Sequence, residues 1–200
     1  MSPPSEARQR MIDAALDLFH RYGVPGTSID RILEQSGTGK GQFAHYFKSK
    51  EGLVHAVLQY LHEVIRSGQA PTGYKLESWE DLEGWFDRYR DFQAGVNFER
   101  SCPVGTIGND ISVEQELLRQ DVRMFFQWAR ASLARFFAEK RACGELPAAA
   151  DPDGLADLCI VVMQGGMLVT KVTRSPETFE RASAQVLAYV RFLRRSASRQ

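Results

Sequence analysis

Apolar residues recur at helical spacing along most of the chain. Between Ala7 and Tyr22 they fall at steps of three and four, which is the period of a helix with one buried face. The same spacing predicts helices over residues 29–36, 40–47, 49–65, 78–98, 113–141, 152–173 and 176–195. No stretch shows the alternation of period two that marks a strand. The pattern therefore predicts an all-α chain.

Turn and capping residues divide these helices into two groups. Ser5 is a plausible N-cap of the first helix, and either Thr27 or Ser28 caps the second. Gly37 separates two short helices, whereas the helices after residue 73 are longer and more aromatic. We therefore predict a small N-terminal unit of three or four helices over residues 1–50 and a larger helical bundle over residues 51–200.

Composition and charge restrict the class of protein. The 200 residues are 44% apolar, and 25 basic residues balance 25 acidic ones, so any surface that binds a polyanion must arise from local segregation of charge. No run reaches the roughly 18 apolar residues of a membrane span, and the N-terminus lacks the apolar core of a signal peptide. Three widely spaced cysteines indicate free thiols and fit no zinc motif. These features predict a soluble cytoplasmic protein with no membrane partner, metal or cofactor.

The segment from Thr38 to Lys50 concentrates positive charge. It contains three lysines and no acidic residue, and it includes the second of two short helices joined by a glycine-bearing turn, which is the skeleton of a helix-turn-helix. His45 and Tyr46 add donors for phosphate oxygens, and Gln42 falls in the first helical turn, where a side chain reaches base edges. A solvated basic loop between helices is the alternative.

The residues of this segment also resemble a known family. The run Thr27-Ser28-Ile29-Asp30-Arg31-Ile32, followed by Ser36-Gly37-Thr38-Gly39-Lys40-Gly41-Gln42-Phe43-Ala44-His45-Tyr46-Phe47-Lys48-Ser49-Lys50-Glu51-Gly52-Leu53, is similar to the DNA-binding segment of TetR transcriptional regulators. The resemblance covers about residues 7–65. It implies a DNA-binding regulator and not an enzyme.

The resemblance also implies roles for individual residues. It places phosphate contacts at Thr27, Thr38, Lys40, His45, Tyr46 and Lys50, and base reading near Gln42. Phe43 and Phe47 become core residues that anchor the recognition helix, as their spacing independently indicates. Gly39 departs from a common capping Ser, and Ala44 from a common Tyr, so we expect a weaker cap and an altered operator preference.

The last two predicted helices are suited to pairing between subunits. Gly165 and Gly166 allow close approach of another helix, and the final helix presents a stripe of Val186, Val190 and Leu193. In the resembled family these two helices form a two-fold homodimer, which implies a pseudo-palindromic operator. The alternative is that they only close the core of one subunit.

The resemblance implies that the larger bundle holds a pocket for a small apolar or aromatic effector, whose binding releases a repressor from DNA. Candidate lining residues are Trp85, Tyr89, Phe92, Cys102, Phe125, Trp128 and Met163. An aromatic stripe at helical spacing is also what any bundle core requires, so simple packing is the alternative for each of them.

Cys102 supports a second hypothesis. It precedes Pro103, which favours the first position of a helix, and a helix N-terminus stabilises a thiolate. The stretch 100–109 is similar to a Cys-x-x-Gly-x-Leu element of a TetR subgroup, some of whose members respond to electrophiles or oxidants. Cys102 is thus either a thiol sensor or a packing residue, and Cys143 and Cys159 are interpreted as structural. A cysteine enzyme is disfavoured because all four histidines fall in the first 62 residues. A protein-interaction bundle that binds no nucleic acid is the remaining alternative.

Overall fold

A computed structural model describes residues 6–70 and 73–197, and this part of the chain forms nine α-helices and no strand. In chain order they are α1 (Glu6–Tyr22), α2 (Ile29–Ser36), α3 (Lys40–Tyr46), α4 (Lys50–Arg66), α5 (Trp79–Ala94), α6 (Pro103–Asp110), α7 (Glu116–Ala142), α8 (Pro152–Thr173) and α9 (Glu177–Ala197). The all-α prediction is confirmed. The predicted cap Ser5 lies outside the described residues.

Two helices are shorter than their apolar pattern predicts. α5 ends at Ala94 and not near Phe98, because Asn97 and Phe98 take left-handed backbone conformations with φ of 52° and 57°. α7 begins at Glu116 and not at Val113, since Ser112 donates its main-chain N–H to the Gln115 side chain and closes a turn first. In both cases polar turn geometry outweighs apolar periodicity.

The chain divides into two compact units. The first runs up to Val64 and adds Cys102–Met124, and the second comprises Ile65–Ser101 and the chain from Phe125 onward. Compactness thus groups α6 and the start of α7 with the N-terminal helices. The predicted boundary at residue 50, between the small N-terminal unit and the larger bundle, is a division by function and stays a prediction.

The core of the first unit is built on α1. Met11, Ala15 and Phe19 are fully buried along one face of that helix, which packs against α2, α3 and α6. Arg10 Nε donates to the carbonyl oxygen of Ser36 at 3.0 Å and satisfies the end of α2. The short helices, which are marginal alone, are therefore held by tertiary contacts.

The second unit packs α8 against both α5 and α9. The approach of α8 to α9 requires Gly166: a Cβ atom there would stand 2.8 Å from Phe179 Cγ and 3.1 Å from Phe179 Cβ. Gly165 has nothing within 4 Å of its corresponding position. The predicted close approach at this glycine pair is therefore made within one subunit by Gly166, while Gly165 faces outward.

Candidate nucleic-acid interface and effector site

Local capping sets the geometry of α2 and α3. Ser28 is the N-cap of α2, and its hydroxyl accepts the main-chain N–H of Arg31 at 3.2 Å. Gly37 ends α2 with φ of 61°, a conformation that costs glycine nothing. The Thr38 N–H then donates to the carbonyl oxygen of Leu33 at 3.0 Å, and α3 follows two residues later. This is the short turn of a helix-turn-helix.

One face of α3 is anchored and the other is open. Phe43 and Phe47 are 6% and 5% exposed, which confirms their predicted core role. Gln42, Ala44 and His45 are exposed on the same helix. A recognition helix needs this division, because rigid anchoring presents the outward side chains in one orientation.

Gln42 has a structural task that the sequence did not reveal. Gly39 is the N-cap of α3 and has no side chain to accept a main-chain N–H. Instead, its own N–H donates to Gln42 Oε1 at 3.2 Å, which is half of a capping box. The expected weak cap is thus partly compensated, and the Gln42 amide nitrogen remains available as a donor.

The positive charge of the segment is partly balanced by carboxylates distant in sequence. Lys40 Nζ lies 3.0 Å from Asp30 Oδ1, and both side chains are more than 70% exposed, so this pair is weak and easily exchanged for a phosphate. Lys50 is half-buried: burial lowers its pKa, and the charge of Asp110 acts in the opposite direction. The charge run in the sequence therefore overstates the positive potential here.

The two predicted threonine contacts differ in accessibility. Thr27 is 1% exposed, and its hydroxyl donates within the unit, 2.9 Å from the carbonyl oxygen of Gly23 and 3.3 Å from that of Leu18. Thr38 is half-buried and its hydroxyl lies 2.6 Å from Ser36 Oγ. Phosphate contacts at both positions stay predictions, but the buried Thr27 side chain offers DNA no surface.

Two carboxylates that sequence analysis missed brace this unit. Asp110, the last residue of α6, accepts the main-chain N–H of Val24 at 2.8 Å. Asp121 of α7 is buried and lies 2.6 Å from His55 Nδ1, and it accepts the Gln59 side-chain amide at 2.7 Å. No local pattern in the sequence identifies for His55 a partner 66 residues away.

The second unit gathers most of the predicted effector-site residues into an aromatic core. Trp85, Tyr89, Phe125 and Met163 are buried, whereas Phe92 and Trp128 are half-buried. Tyr74, which precedes α5, links this group: its ring centroid lies 5.6 Å from Trp85 and 4.9 Å from Trp128. Its hydroxyl is 2.7 Å from that of Tyr89. Tyr74 was missed because it lies outside any helix.

The three cysteines occupy different environments. Cys102 belongs to the first unit, is 5% exposed and is the N-cap of α6, with its Sγ accepting the Gly105 N–H at 3.5 Å. Cys159 is fully buried, and burial raises its pKa to about 12, so its structural role fits. Cys143 is exposed, which corrects its interpretation as a structural thiol. Within the described residues no group of His, Cys, Asp and Glu could hold a metal ion.

The outer faces of α8 and α9 carry large apolar side chains. They are at least 37% exposed and comprise Leu158, Val161, Leu168, Val169, Val172, Tyr189 and Phe192. By length and composition alone, α8 also qualifies as a membrane span, with a mean hydropathy of 1.6. Only 33% of the most apolar 18-residue stretch of α8 is buried. The helix is therefore apolar on its outward side as well as towards the core of its own subunit.

Comparisons with known proteins agree with this geometry. Residues 11–57 match the family model of bacterial regulatory proteins of the tetR family, and residues 79–186 match the tetracyclin repressor-like C-terminal domain. The transcriptional regulator AcuR of Cereibacter sphaeroides is 29% identical over 86% of this chain and 80% of its own. The transcriptional repressor DhaR of a Mycobacterium species is 24% identical over 86% of each chain. A regulatory protein TetR from Rhodobacter sphaeroides has the same fold, with a TM-score of 0.78 and 24% identity over 92% of this chain and 98% of that one. The chain therefore belongs to the TetR family of DNA-binding transcriptional regulators.

Proposed function

We propose that the protein is a repressor that binds a pseudo-palindromic operator as a homodimer and leaves it when a small effector binds. The observation that carries the proposal is α3, a helix held by two buried phenylalanines with Gln42 and His45 exposed beside Lys40. Lys40 and its neighbours contact phosphates, and Gln42 reads base edges. The name of the relative DhaR supports the repressor role.

The dimer forms through α8 and α9. On α8 the exposed positions Leu158, Val161, Leu168 and Val172 fall at steps of three, four and seven, so they share one face. Gly165 lies on the same face with open space around it. A contiguous apolar face of this kind marks an interface, and a second copy of α8 and α9 explains the high hydropathy of α8 without a membrane.

The effector enters the aromatic core of the second unit. The rings of Tyr74, Trp85 and Trp128 supply a flat apolar lining, and the neighbouring hydroxyls supply polar contacts. Effector and DNA favour different conformations of the dimer, so each weakens the binding of the other by the same factor. Such a regulator acts in the cytoplasm, where its operator lies.

A mobility shift with the upstream region of the protein's own gene tests the regulator. Wild type should retain the fragment, and Lys40→Ala with Gln42→Ala should lose at least about tenfold in affinity while keeping its helical circular dichroism. Lys75→Ala is the matched control, because Lys75 is equally exposed and ion-paired but lies outside α3. Equal losses in both variants would contradict the assignment of α3, and a wild-type protein that retains no fragment even at low salt would favour a protein-interaction bundle.

Cys102 supports a second candidate function, a repressor gated by electrophiles or oxidants. Its sulfur accepts a main-chain N–H at the start of α6, and the other end of α6 holds Val24 through Asp110. Modification of the thiol would displace the Gly105 N–H and disturb this helix. Treatment with N-ethylmaleimide should then release DNA from wild type and from Cys143→Ser but not from Cys102→Ser. Release that depends on the exposed Cys143 instead would reject this candidate.

A further inference from the structure

Two buried N–H groups on α5 have no hydrogen-bond acceptor. They are the indole Nε1 of Trp85, a residue with 0% exposure, and the Nε of the half-buried Arg88. The residues are three apart on one helix, so their side chains are neighbours on the same face. Buried N–H groups are almost always paired in folded proteins, and two adjacent unpaired donors indicate a place for an acceptor.

The carboxylate that acts on Arg88 is engaged elsewhere. Asp81 interacts with Arg88 through charge, but its Oδ2 accepts the main-chain N–H groups of Glu77 at 2.9 Å and Ser78 at 2.8 Å. Those bonds form the N-terminal cap of α5. Within the described residues, neither Asp81 nor any other group accepts the Arg88 Nε–H.

Gly84 leaves space for the guanidinium group of Arg88. A Cβ atom at this position would lie 3.2 Å from Arg88 Nη1. The guanidinium therefore lies back along α5 against Gly84, where no side chain occupies the space.

The surroundings of the Trp85 donor are aromatic. The Trp85 ring lies 5.6 Å from Tyr74 and 5.1 Å from Tyr89, centroid to centroid. We propose that the effector is a small organic acid with an apolar or aromatic body, whose carboxylate accepts hydrogen bonds from Trp85 Nε1–H and Arg88 Nε–H. A carboxylate has two oxygens that only accept, and it matches the charge of Arg88, whereas a neutral amide carbonyl does not.

This inference rests on the proposed function, since it names the chemical class of the effector at the same site. Binding can be measured on the full chain with acetate, butyrate, benzoate and phenylacetate, each against its amide, by calorimetry and by the Trp85 indole N–H resonance. Trp85→Phe assigns that resonance among the three tryptophans. At least one acid should bind about tenfold or more tightly than its amide and move the Trp85 resonance.

Variants on α5 decide whether Arg88 is responsible. Arg88→Gln should weaken binding of the acid by about tenfold or more and leave the amide unchanged, and Arg88→Lys should fall between. Arg90→Gln is the matched control, because Arg90 lies on the same helix but pairs with Asp87 and Asp91. Equal binding of acids and amides, no shift of the Trp85 resonance at millimolar acid, or full affinity in Arg88→Gln would overturn the proposal.

The mobility shift separates the two proposals. A protein that retains DNA but binds no acid contradicts only the inference about the effector. A protein that binds the acid through Arg88 but retains no DNA contradicts only the proposed regulator.

Discussion

The helix-turn-helix and the aromatic core of the second unit are built in opposite ways. Around α3, short-range caps at Ser28, Gly37 and Gly39 set the backbone, and the side chains proposed to contact DNA face outward. Around α5, contacts between residues far apart in sequence set the geometry, and the side chains proposed to contact the effector face inward. The first arrangement suits the proposed contact with DNA, and the second suits the proposed binding of a small effector. One fold can therefore keep its helix-turn-helix (α2 and α3, here called the reader) while the aromatic core around α5 (here called the proposed sensor) changes.

The largest effect should follow from placing a charge on the outer face of α8. Val161→Arg puts a cation where the proposed second subunit packs, and an unpaired charge buried in an interface costs several kcal/mol. The dimer should dissociate at least about 100-fold more readily, with loss of operator binding. Analytical ultracentrifugation measures this directly.

Val113→Arg is the control for that variant. Val113 is 95% exposed and lies between α6 and α7, outside the proposed interface. It should leave the dimer intact. A dimer that survives Val161→Arg would place the subunit contact elsewhere.

Adjacent glycines in α8 sharpen the distinction between its inward and outward faces. Gly166→Ala forces a methyl group onto Phe179 and should lower the free energy of unfolding by about 1–3 kcal/mol. The methyl group of Gly165→Ala contacts nothing within the subunit. This variant should raise the free energy of unfolding by less than about 1 kcal/mol. Urea unfolding at one protein concentration compares them, and similar losses in both variants would refute the assignment of faces.

Thr27→Val tests whether the buried Thr27 side chain contacts DNA or only stabilises the fold. The variant removes the hydroxyl whose single proton is shared between the main-chain carbonyls of Gly23 and Leu18, and it should cost about 1–2 kcal/mol of unfolding free energy. The dependence of DNA affinity on salt should stay unchanged, because no phosphate contact is lost. A shallower salt dependence with unchanged stability would instead support the predicted phosphate contact.

The smallest effect concerns Glu145 in the second unit. The Trp79 indole N–H donates to it at 2.5 Å, and that bond, followed by the one from Lys140, lowers the pKa of the carboxyl. Its contribution to stability is therefore complete above the ordinary pKa of 4.5 and disappears as the pH falls through the lowered value. Thermal unfolding of wild type and Glu145→Gln should differ near neutral pH and converge in acid, whereas a constant difference would contradict the assigned bonds.

The sequence predicts the structure of the reader better than that of the proposed sensor, because the reader depends on neighbouring residues. The caps, the glycine turn and the Phe43–Phe47 anchor depend on neighbours within a few residues, so the pattern of the chain contains them. Even there, Gln42 as a cap and Thr27 as a buried donor were not predicted. Both depend on which way a side chain turns, and periodicity does not report that.

The aromatic core of the proposed sensor depends on contacts between residues far apart in sequence, which no local pattern encodes. Tyr74 was missed because its role depends on the aromatic rings of α5 and α7, and Arg88 resembles any charged residue on an amphipathic helix until its buried Nε is seen. Every helix except α6 was predicted from its apolar spacing, and α6 was missed because the pattern there indicated a break. Their ends at Ala94 and Glu116 were not, because polar turns decided them.

The most direct test of the central claim is the salt dependence of operator affinity, measured by fluorescence anisotropy for wild type, Lys40→Ala and Lys75→Ala. Each phosphate contact contributes about 0.9 to the slope of log affinity against log salt. The account predicts that Lys40→Ala lowers the slope by about this amount and that Lys75→Ala leaves it unchanged. Equal slopes for all three proteins would contradict the claim that α3 and its lysine dock on the DNA backbone.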